Sequence, residues 1–429
     1  MLILSFTVTE FHIVSFSDFS LFLKASIRVS FSLSVMAMQA SLCAPRFVAL
    51  DFGVCSYHAR ASSTLHFKSS WGLLAAIGLS KNTRFIAASA RQGIHTDGKE
   101  PPTMISAPER RIVAVGDLHG DLRQTKRALR VAGVLSDDEQ DNWTGGTTVL
   151  VQVGDVLDRG PDEIAILSLL WHLTEQARSK GGAVFQVHGN HETMNVSHEF
   201  NDTPDCGFED SQHFVDYCNE RHDGHWHTAF VQWRLEWPEW KKSRFESSTW
   251  LPFWNVFKVR KKMDARVLLF SPGGPLALEL SRHGVVLKIN DWLFAHGGLL
   301  PHHVAYGLEK MNSEVSNWMK GGAYNGKQPF IATKGFDSIV WSRLYSRKTK
   351  EIPQPKACAV LQQTLDAAKA KGLVIGHTPQ VEGANSECDG KVWRIDVGMS
   401  RGVLNATPQV IEIVGDEVKV LSCQKDDSH

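Results

Sequence analysis

Six short polar motifs in this chain each follow an apolar run of two to five residues. Such runs are typical of strands that are buried on both faces of a sheet. The predicted strands are 112–115, 149–153, 184–187, 292–295, 339–340 and 373–375. The motifs that follow them are Gly-Asp-Leu-His-Gly at 116–120, Gly-Asp-Val-Leu-Asp-Arg-Gly at 154–160, Gly-Asn-His-Glu at 189–192, Ala-His-Gly-Gly at 295–298, Trp-Ser-Arg at 341–343 and Gly-His-Thr at 376–378. Open α/β sheets place their chemistry in loops at strand ends, so this pattern predicts an α/β fold with one composite site.

Helical patterns separate the first predicted strands. Segments 121–132 and 161–180 repeat apolar residues at helical spacing and end at glycines. Strand and helix therefore alternate, which predicts a parallel-rich sheet covered by helices. Beyond residue 373 the pattern changes to short strands and turns, with a strand at 392–397 and a hairpin formed by 410–414 and 417–421.

Composition limits the classes of function. The chain of 429 residues has 46 basic and 46 acidic residues, and zero net charge argues against a general nucleic-acid binder. Its seven cysteines form no Cys-x-x-Cys pair. We therefore expect neither a zinc cage nor a disulfide framework. A reducing compartment suits these cysteines better.

The N-terminal segment differs from the rest of the chain. Residues 1–96 contain three acidic side chains, eight Lys or Arg and sixteen serines. This bias is typical of an organelle transit peptide, with a merely disordered tail as the alternative. Charges interrupt its apolar patches, so no membrane span of about 20 residues is expected. The predicted organisation is a transit or disordered extension at 1–95, a linker at 96–110, a catalytic domain at 111–423 and a tail at 424–429.

One segment of the catalytic domain, residues 199–266, breaks the alternating pattern. It contains six of the 13 tryptophans, namely Trp226, Trp233, Trp237, Trp240, Trp250 and Trp254. The first four are spaced 7, 4 and 3 residues apart, which places them on one helical face. We predict a mainly helical insertion that packs on the domain, with a substrate-shaping cap as the second interpretation.

The polar motifs together supply the ligands of a two-metal phosphoryl-transfer site. Such a site needs a bridging carboxylate and further carboxylate, imidazole and amide ligands. That mixture suits manganese, iron or zinc. The candidate ligands are Asp117 and His119 for one metal, Asp155 as the bridge, and Asn190, His296 and His377 for the other.

Other residues in the same motifs suit acid catalysis and phosphate binding. His191 directly follows Asn190, so its ring can enter the pocket without being a ligand. We expect it to act as the general acid, oriented by a carboxylate such as Asp158. Arg159 offers the planar guanidinium that binds phosphate oxygens, and Arg343 is a second candidate.

The ordered motifs G-D-x-H-G, G-D-x-x-D-R-G and G-N-H-E resemble those of the PPP metallophosphatases. Within that family, residues 111–121, 185–195 and 295–302 are similar to the Shewanella-like protein phosphatases of plants, chloroplast type. The resemblance implies a calcineurin-like β-sandwich flanked by helices, two divalent metals (often manganese) and a plastid location. It also implies hydrolysis of phosphate monoesters on phosphoproteins, at Ser/Thr with Tyr left open, by attack of a metal-bridging hydroxide. The candidate ligands match the family's metal positions, and Asp158 and His191 match its acid pair. Asn190 and Arg159 match its phosphate site. The resemblance implies no nucleic-acid or membrane partner.

Two alternatives remain open at this point. A dinucleoside-tetraphosphate hydrolase or other phosphodiesterase would use the same ligands on a different substrate. A catalytically dead binding module is the third interpretation, and the intact ligand set argues against it. The sequence also departs from the animal-type enzymes, because residues 394–399 replace their tyrosine-bearing loop.

Overall fold

The computed structural model of the protein describes residues 94–98, 100–246, 255–322, 327–347 and 353–423. The predicted tail, nearly all of the predicted transit segment, and Trp250 and Trp254 lie outside these residues. No helix in the described ranges is long and apolar enough to cross a bilayer.

Two β-sheets form the centre of the domain. The strands are β1 His95–Thr96, β2 Met104–Ser106, β3 Ile112–Val115, β4 Val149–Gln152, β5 Ala183–Gln186, β6 Val286–Ile289, β7 Trp292–Ala295, β8 Gly372–Ile375, β9 Asn385–Glu387, β10 Val392–Arg394, β11 Gln409–Val414 and β12 Glu417–Ser422. One sheet has the order β12-β11-β3-β4-β5, and the other has the order β1-β2-β6-β7-β8-β10-β9. The runs β3-β4-β5 and β7-β8-β10 are parallel, as the alternation of strand and helix predicts.

The two sheets pack face to face as a sandwich. Ala114 and Val151 from the first sheet share one buried apolar cluster with Phe294 and Val374 from the second. The neighbouring residues Val113, Val115 and Leu150 point the other way, into a cluster shared with the flanking helices. Both faces of these strands are therefore buried, which explains why their sequences are continuous apolar runs.

Helices cover the outer faces of the sandwich. They are α1 Leu122–Val131, α2 Glu163–Ser179, α3 Asn190–Val196, α4 Asp205–His222, α5 Trp226–Glu246, α6 Asn255–Phe270, α7 Pro275–Leu280, α8 Pro301–Tyr306, α9 Leu308–Met319 and α10 Gln354–Ala368. The predicted helices at 121–132 and 161–180 correspond to α1 and α2, with Asp121 and Asp162 as their N-caps.

The Trp-rich insertion is helical, as predicted. It forms α4, α5 and α6, and α6 continues to Phe270, beyond the predicted end at residue 266. Trp233, Trp237 and Trp240 are buried on α5 and pack in one apolar cluster with Phe214 and with residues of α2. The aromatic face thus anchors the insertion to the domain.

Three sequence-based expectations are wrong. The linker predicted at 96–110 contributes a strand, because β2 pairs in parallel with β6. Residues 339–340 form a buried turn whose Ile339 carbonyl accepts the backbone N–H of Gly297, so burial rather than strand pairing explains this apolar pair. A disulfide joins Cys358 to Cys388 across 30 residues, against the expectation of a reducing compartment without a disulfide framework, because spacing does not reveal which distant cysteines meet in the fold.

Candidate active site

The predicted motifs meet where strands of the two sheets end. The loops after β3 and β4 and the start of α3 bring Asp117, His119, Asp155, Asp158 and Asn190 from the five-stranded sheet. The loops after β7 and β8 bring His296 and His377 from the other sheet. All of these side chains are buried. Residues separated by up to 260 positions, such as Asp117 and His377, are hydrogen-bonded to each other.

Asp155 lies at the centre of this site. Its Oδ2 is 3.1 Å from His296 Nε2 and 3.8 Å from the Nε2 atoms of both His119 and His191. Its Oδ1 accepts the backbone N–H of His191 at 3.1 Å. Two groups of potential metal ligands share it, His119–Asp155–His191 and Asp155–His296–His377, and the ligand atoms within each lie within 4.8 Å of one another. A carboxylate between two such groups has the position of a bridging ligand.

The donor atoms fit a cation. His296 Nδ1 is 2.8 Å from the Val153 carbonyl, which only accepts, so this nitrogen carries the ring proton of the neutral ring. The lone pair on Nε2 then faces Asn190 Oδ1 at 3.2 Å and the Asp155 carboxylate. His377 Nδ1 lies 3.1 Å from the same Nε2, while His377 Nε2 is buried without a hydrogen-bond partner. Several lone pairs converge on one point, and a divalent metal would satisfy them together.

Two imidazoles at the site are neutral, as metal ligands must be. Burial, followed by repulsion from His296, lowers the pKa of His377 to about 2. Burial also lowers the pKa of His119 to about 3, against the attraction of Asp155. His119 Nδ1 lies 3.0 Å from the Leu157 carbonyl, which leaves the Nε2 lone pair directed toward Asp155.

Asp117 faces a second carboxylate that the sequence analysis did not assign to the site. Asp117 accepts the backbone N–H of His377 at 3.1 Å, and its side chain meets Asp396, which follows β10. Burial, then the charges of Asp396 and Asp155, raise the pKa of Asp117 well above its usual range. Burial raises the pKa of Asp396 to about 6. Two buried carboxylates that repel each other in this way are stabilised by a nearby cation.

His191 and Asp158 form a buried pair. His191 Nδ1 is 2.6 Å from Asp158 Oδ2, so Nδ1 donates and Nε2 faces the site. Burial disfavours the charged ring, but Asp155 and then Asp158 raise the pKa of His191 to about 9. His191 lies as close to Asp155 as His119 does, but its Nδ1 is bonded to the Asp158 carboxylate, whereas that of His119 is bonded to the Leu157 carbonyl.

The two candidate phosphate-binding arginines are less buried than the ligands. The Nη2 of Arg159 lies 3.4 Å from His191 Nε2, at the open side of the acid pair. Arg343 Nη1 donates to the His377 carbonyl at 3.0 Å and to Thr378 Oγ1 at 2.8 Å. One guanidinium group therefore lies beside the candidate acid His191, and the other beside the candidate ligand His377.

The loops carry backbone strain. His119, Asp155, Asp158, Arg159 and His377 all have positive φ, between 44° and 70°. Each such non-glycine residue costs about 1–3 kcal/mol, which the surrounding structure must offset.

Glu192 is one source of that compensation. Its carboxylate accepts backbone N–H groups from Asp155 (2.9 Å), Val156 (2.8 Å), Leu157 (3.1 Å) and Gly189 (2.7 Å). Any Cβ at Gly189 would collide with the Asp155 carboxylate, so glycine is required there. In the sequence Glu192 is only the last residue of the Gly-Asn-His-Glu motif, and its four backbone contacts arise from the fold.

A residue of the insertion also reaches the site. Arg266, on α6, is fully buried and its Nη2 lies 3.0 Å from Asp158 Oδ1. Nothing in the sequence of α6 separates Arg266 from the neighbouring Lys and Arg residues. Arg266 differs from them only in the fold, where its guanidinium is fully buried.

Comparison with known proteins agrees with this architecture. The calcineurin-like phosphoesterase family matches residues 110–381, and the chain belongs to that family of metallophosphoesterases. Shewanella-like protein phosphatase 2 of Arabidopsis thaliana is 36% identical over 329 residues, which cover 73% of this chain and 77% of the relative. Within the family, the chain is therefore a member of the Shewanella-like protein phosphatases.

More distant matches extend the comparison. Shewanella-like protein phosphatase 1 of Plasmodium berghei is 29% identical, over 68% of this chain and 67% of the relative. Among solved structures, a cold-active protein tyrosine phosphatase aligns with a TM-score of 0.50 and 18% identity, over 79% of this chain and 83% of that one. The latter supports the fold alone.

Proposed function

We propose that the protein is a metal-dependent phosphoprotein phosphatase that hydrolyses phosphate monoesters of Ser and Thr, with Tyr as a further substrate class. The observation that carries this proposal is the placement of Asp155 between two groups of ligand atoms, beside the hydrogen-bonded pair of His191 and Asp158. The Arabidopsis and Plasmodium relatives, both named protein phosphatases, support a phosphoprotein substrate.

The proposed metal ligands are those expected from the sequence. Asp117 and His119 would hold one metal, Asn190, His296 and His377 the other, and Asp155 both. We propose manganese as the native metal, with iron and zinc as the alternatives for this mixed oxygen and nitrogen set. Metal analysis of the purified protein, followed by reconstitution with each metal, tests the choice. Highest activity with a metal other than manganese would contradict it.

When bound, the metal pair supplies Lewis-acid activation of the phosphate and of the attacking water. The protein's own groups do the rest. Arg159, with Arg343 and the Asn190 amide, binds phosphate oxygens and orients the phosphorus for attack. Asp155 and Asp158 raise the pKa of His191 against the effect of burial, which favours a proton on its Nε2. His191 gives this proton to the leaving oxygen as the P–O bond breaks, while Asp158 keeps the ring oriented through Nδ1.

The test compares substrate classes. We expect manganese-loaded protein to release phosphate from phosphoserine and phosphothreonine peptides, and a chelator to abolish the release. Diadenosine tetraphosphate should be turned over poorly. The variant Asp155→Asn serves as the control for contaminating phosphatases. If the dinucleotide were the better substrate, the protein would be a dinucleoside-tetraphosphate hydrolase or related phosphodiesterase on the same ligand set.

We also propose a plastid location, directed by residues 1–95. Their acid-poor, Ser-rich composition and the similarity to a plant phosphatase support this. Fusing residues 1–95 to a fluorescent reporter should direct it to plastids, and a reporter carrying residues 94–429 should remain in the cytosol. A cytosolic reporter in the first case would refute the proposal. The remaining protein should stay folded and active, because the described sheet begins at His95.

A further inference from the structure

Arg266 is an unusual residue for a helical insertion, because its guanidinium is completely buried. It lies on α6 and is surrounded by the rings of Phe200, Phe208 and Phe270, whose centroids are 5.0–5.8 Å from its Cζ. Removing such a charge from water costs several kcal/mol unless every N–H finds an acceptor. The position of those acceptors therefore indicates what the residue does.

All five N–H groups of Arg266 have acceptors. Nε donates to Asn195 Oδ1 at 2.7 Å. Nη1 donates to Glu163 Oε2 at 2.6 Å and to the Gly207 carbonyl at 3.0 Å. Nη2 donates to Asp158 Oδ1 at 3.0 Å and to Glu163 Oε1 at 3.1 Å. The guanidinium is thus fixed in a fully satisfied arrangement that includes the carboxylate partner of His191.

Three of these contacts lead to Asp158 or His191. The first is the direct bond to Asp158 Oδ1. The second runs through Glu163, which accepts the backbone N–H of Asp158. The third runs through Asn195, whose Nδ2 donates to Asp158 Oδ2 at 3.0 Å and to the His191 carbonyl at 2.9 Å. Asp158 is therefore held at its backbone and at both carboxylate oxygens by groups that Arg266 organises.

The consequence is geometric. A carboxylate can rotate about its terminal torsion, which is broad for Asp. Bonds to Oδ1 from Arg266 and from Thr203, whose Oγ1 lies at 2.6 Å, remove that freedom. Oδ2 then stays directed at His191 Nδ1, so the ring presents Nε2 to the site. Misplacing a reacting group by about 1 Å can cost 10²-fold in rate.

We propose that Arg266 is a positioning residue for the proton donor, and that the Trp-rich insertion is through Arg266 a working part of the active site. This rests on the proposed function in one respect, since it takes His191 as the group that protonates the leaving oxygen. It makes the insertion more than a packed addition to the domain, because α6 supplies the cation that aligns Asp158.

The experiment uses the full chain with four variants. Arg266→Met removes all donors at similar length, and Arg266→Lys keeps the charge. Arg234→Met is the matched control, because Arg234 is also buried in the insertion but pairs with Asp141 at 3.6 Å, away from Asp158. Thr203→Val removes the second donor to Oδ1 and leaves the buried helix core unchanged.

The first readout does not depend on activity. In zinc-loaded protein, the His191 Nδ1–H proton should give a downfield NMR signal protected from water, assigned by its loss in His191→Asn. We expect Arg266→Met to increase the exchange rate of this proton with water at least about tenfold. Arg266→Lys should restore part of the protection, and Arg234→Met should leave the exchange rate unchanged. Thr203→Val should show a smaller increase than Arg266→Met.

The second readout is the dependence of kcat on the leaving group, measured with a series of aryl phosphates. In Arg266→Met, kcat should fall about 10- to 100-fold with poor leaving groups and much less with 4-nitrophenyl phosphate. General acid catalysis contributes most when the leaving group is poor. Arg234→Met should change both rates equally.

An unchanged ring-proton signal in Arg266→Met would overturn the inference, as would equal losses on all leaving groups. If Arg266→Met does not fold, the same two readouts are applied to Arg266→Lys and Thr203→Val. Wild-type ring-proton signals in both variants would refute the inference. The phosphopeptide assay is separate. Wild-type protein that hydrolyses aryl phosphates but no phosphopeptide would refute the proposed substrate and leave the ring-proton result to judge Arg266.

Discussion

Replacing Glu192 by Gln should destabilise the catalytic loops. The wild-type carboxylate accepts two N–H groups at each oxygen, from Val156 and Leu157 at Oε1 and from Asp155 and Gly189 at Oε2. Whichever way the Gln amide is oriented, its NH₂ group faces two buried N–H donors. Leaving a buried donor unsatisfied costs about 1–3 kcal/mol, so the expected loss of unfolding free energy is about 2–6 kcal/mol.

Urea denaturation and metal analysis measure this loss. Because Glu192 fixes the backbone of Asp155, we expect Glu192→Gln to bind fewer metal ions as well as to unfold at lower urea. Glu279→Gln is the control, because this buried glutamate in α7 pairs with Arg282 at 3.6 Å rather than with a loop backbone. The reasoning would be refuted if Glu192→Gln unfolded within about 1 kcal/mol of the wild type and kept its full metal content.

Three further predictions concern residues of the site and the N-cap of α1. Asp155→Asn should lower both metal content and activity far more than Asp158→Asn, since only the first removes the central carboxylate; equal effects in both assays would contradict the assignment. His191→Ala should keep its metals, but its turnover of alkyl phosphates should fall about 10²–10⁴-fold, with a smaller loss on 4-nitrophenyl phosphate. Equal losses on both substrates would argue against His191 as the acid. Asp121→Ala should lower the free energy of unfolding by about 0.5–2 kcal/mol at pH 7, because Asp121 caps α1. Burial opposes the shift, but hydrogen bonds from Arg401 lower the pKa of Asp121, so its contribution is present above its unfolded pKa of about 4 and lost as pH falls through the lower folded pKa. Urea titrations at several pH values would detect this, and a difference between variant and wild type that did not shrink as the pH fell below about 4 would contradict it.

The sequence predicted the ligand-bearing strands because both of their faces are buried. β3 is apolar at every position and β4 at every position before Gln152, so both stand out against the polar loops that follow. The order of the motifs along the chain predicted which loops meet. Residues 339–340 show the limit of this signal, because a buried turn is as apolar as a short strand.

Residues whose role depends on distant partners were not predictable in the same way. Asp396 matters because it faces Asp117, 279 positions earlier in the chain, and Arg266 because it reaches Asp158 across the insertion. Neither has a local sequence pattern that distinguishes it from a surface charge. The same holds for Cys358 and Cys388, which meet only once α10 lies beside the turn between β9 and β10.

The positive φ angles at the site have a consequence for genetics. Glycine adopts the left-handed region without strain, so Arg159→Gly, at φ 65°, would relieve roughly 1 kcal/mol of backbone strain and lose a similar amount to chain entropy. The variant would fold about as well as the wild type while lacking the guanidinium beside His191. A single nucleotide change in an arginine codon can make this substitution. Abundance or melting temperature would therefore fail to identify such an allele as a loss of function, and only a turnover assay would.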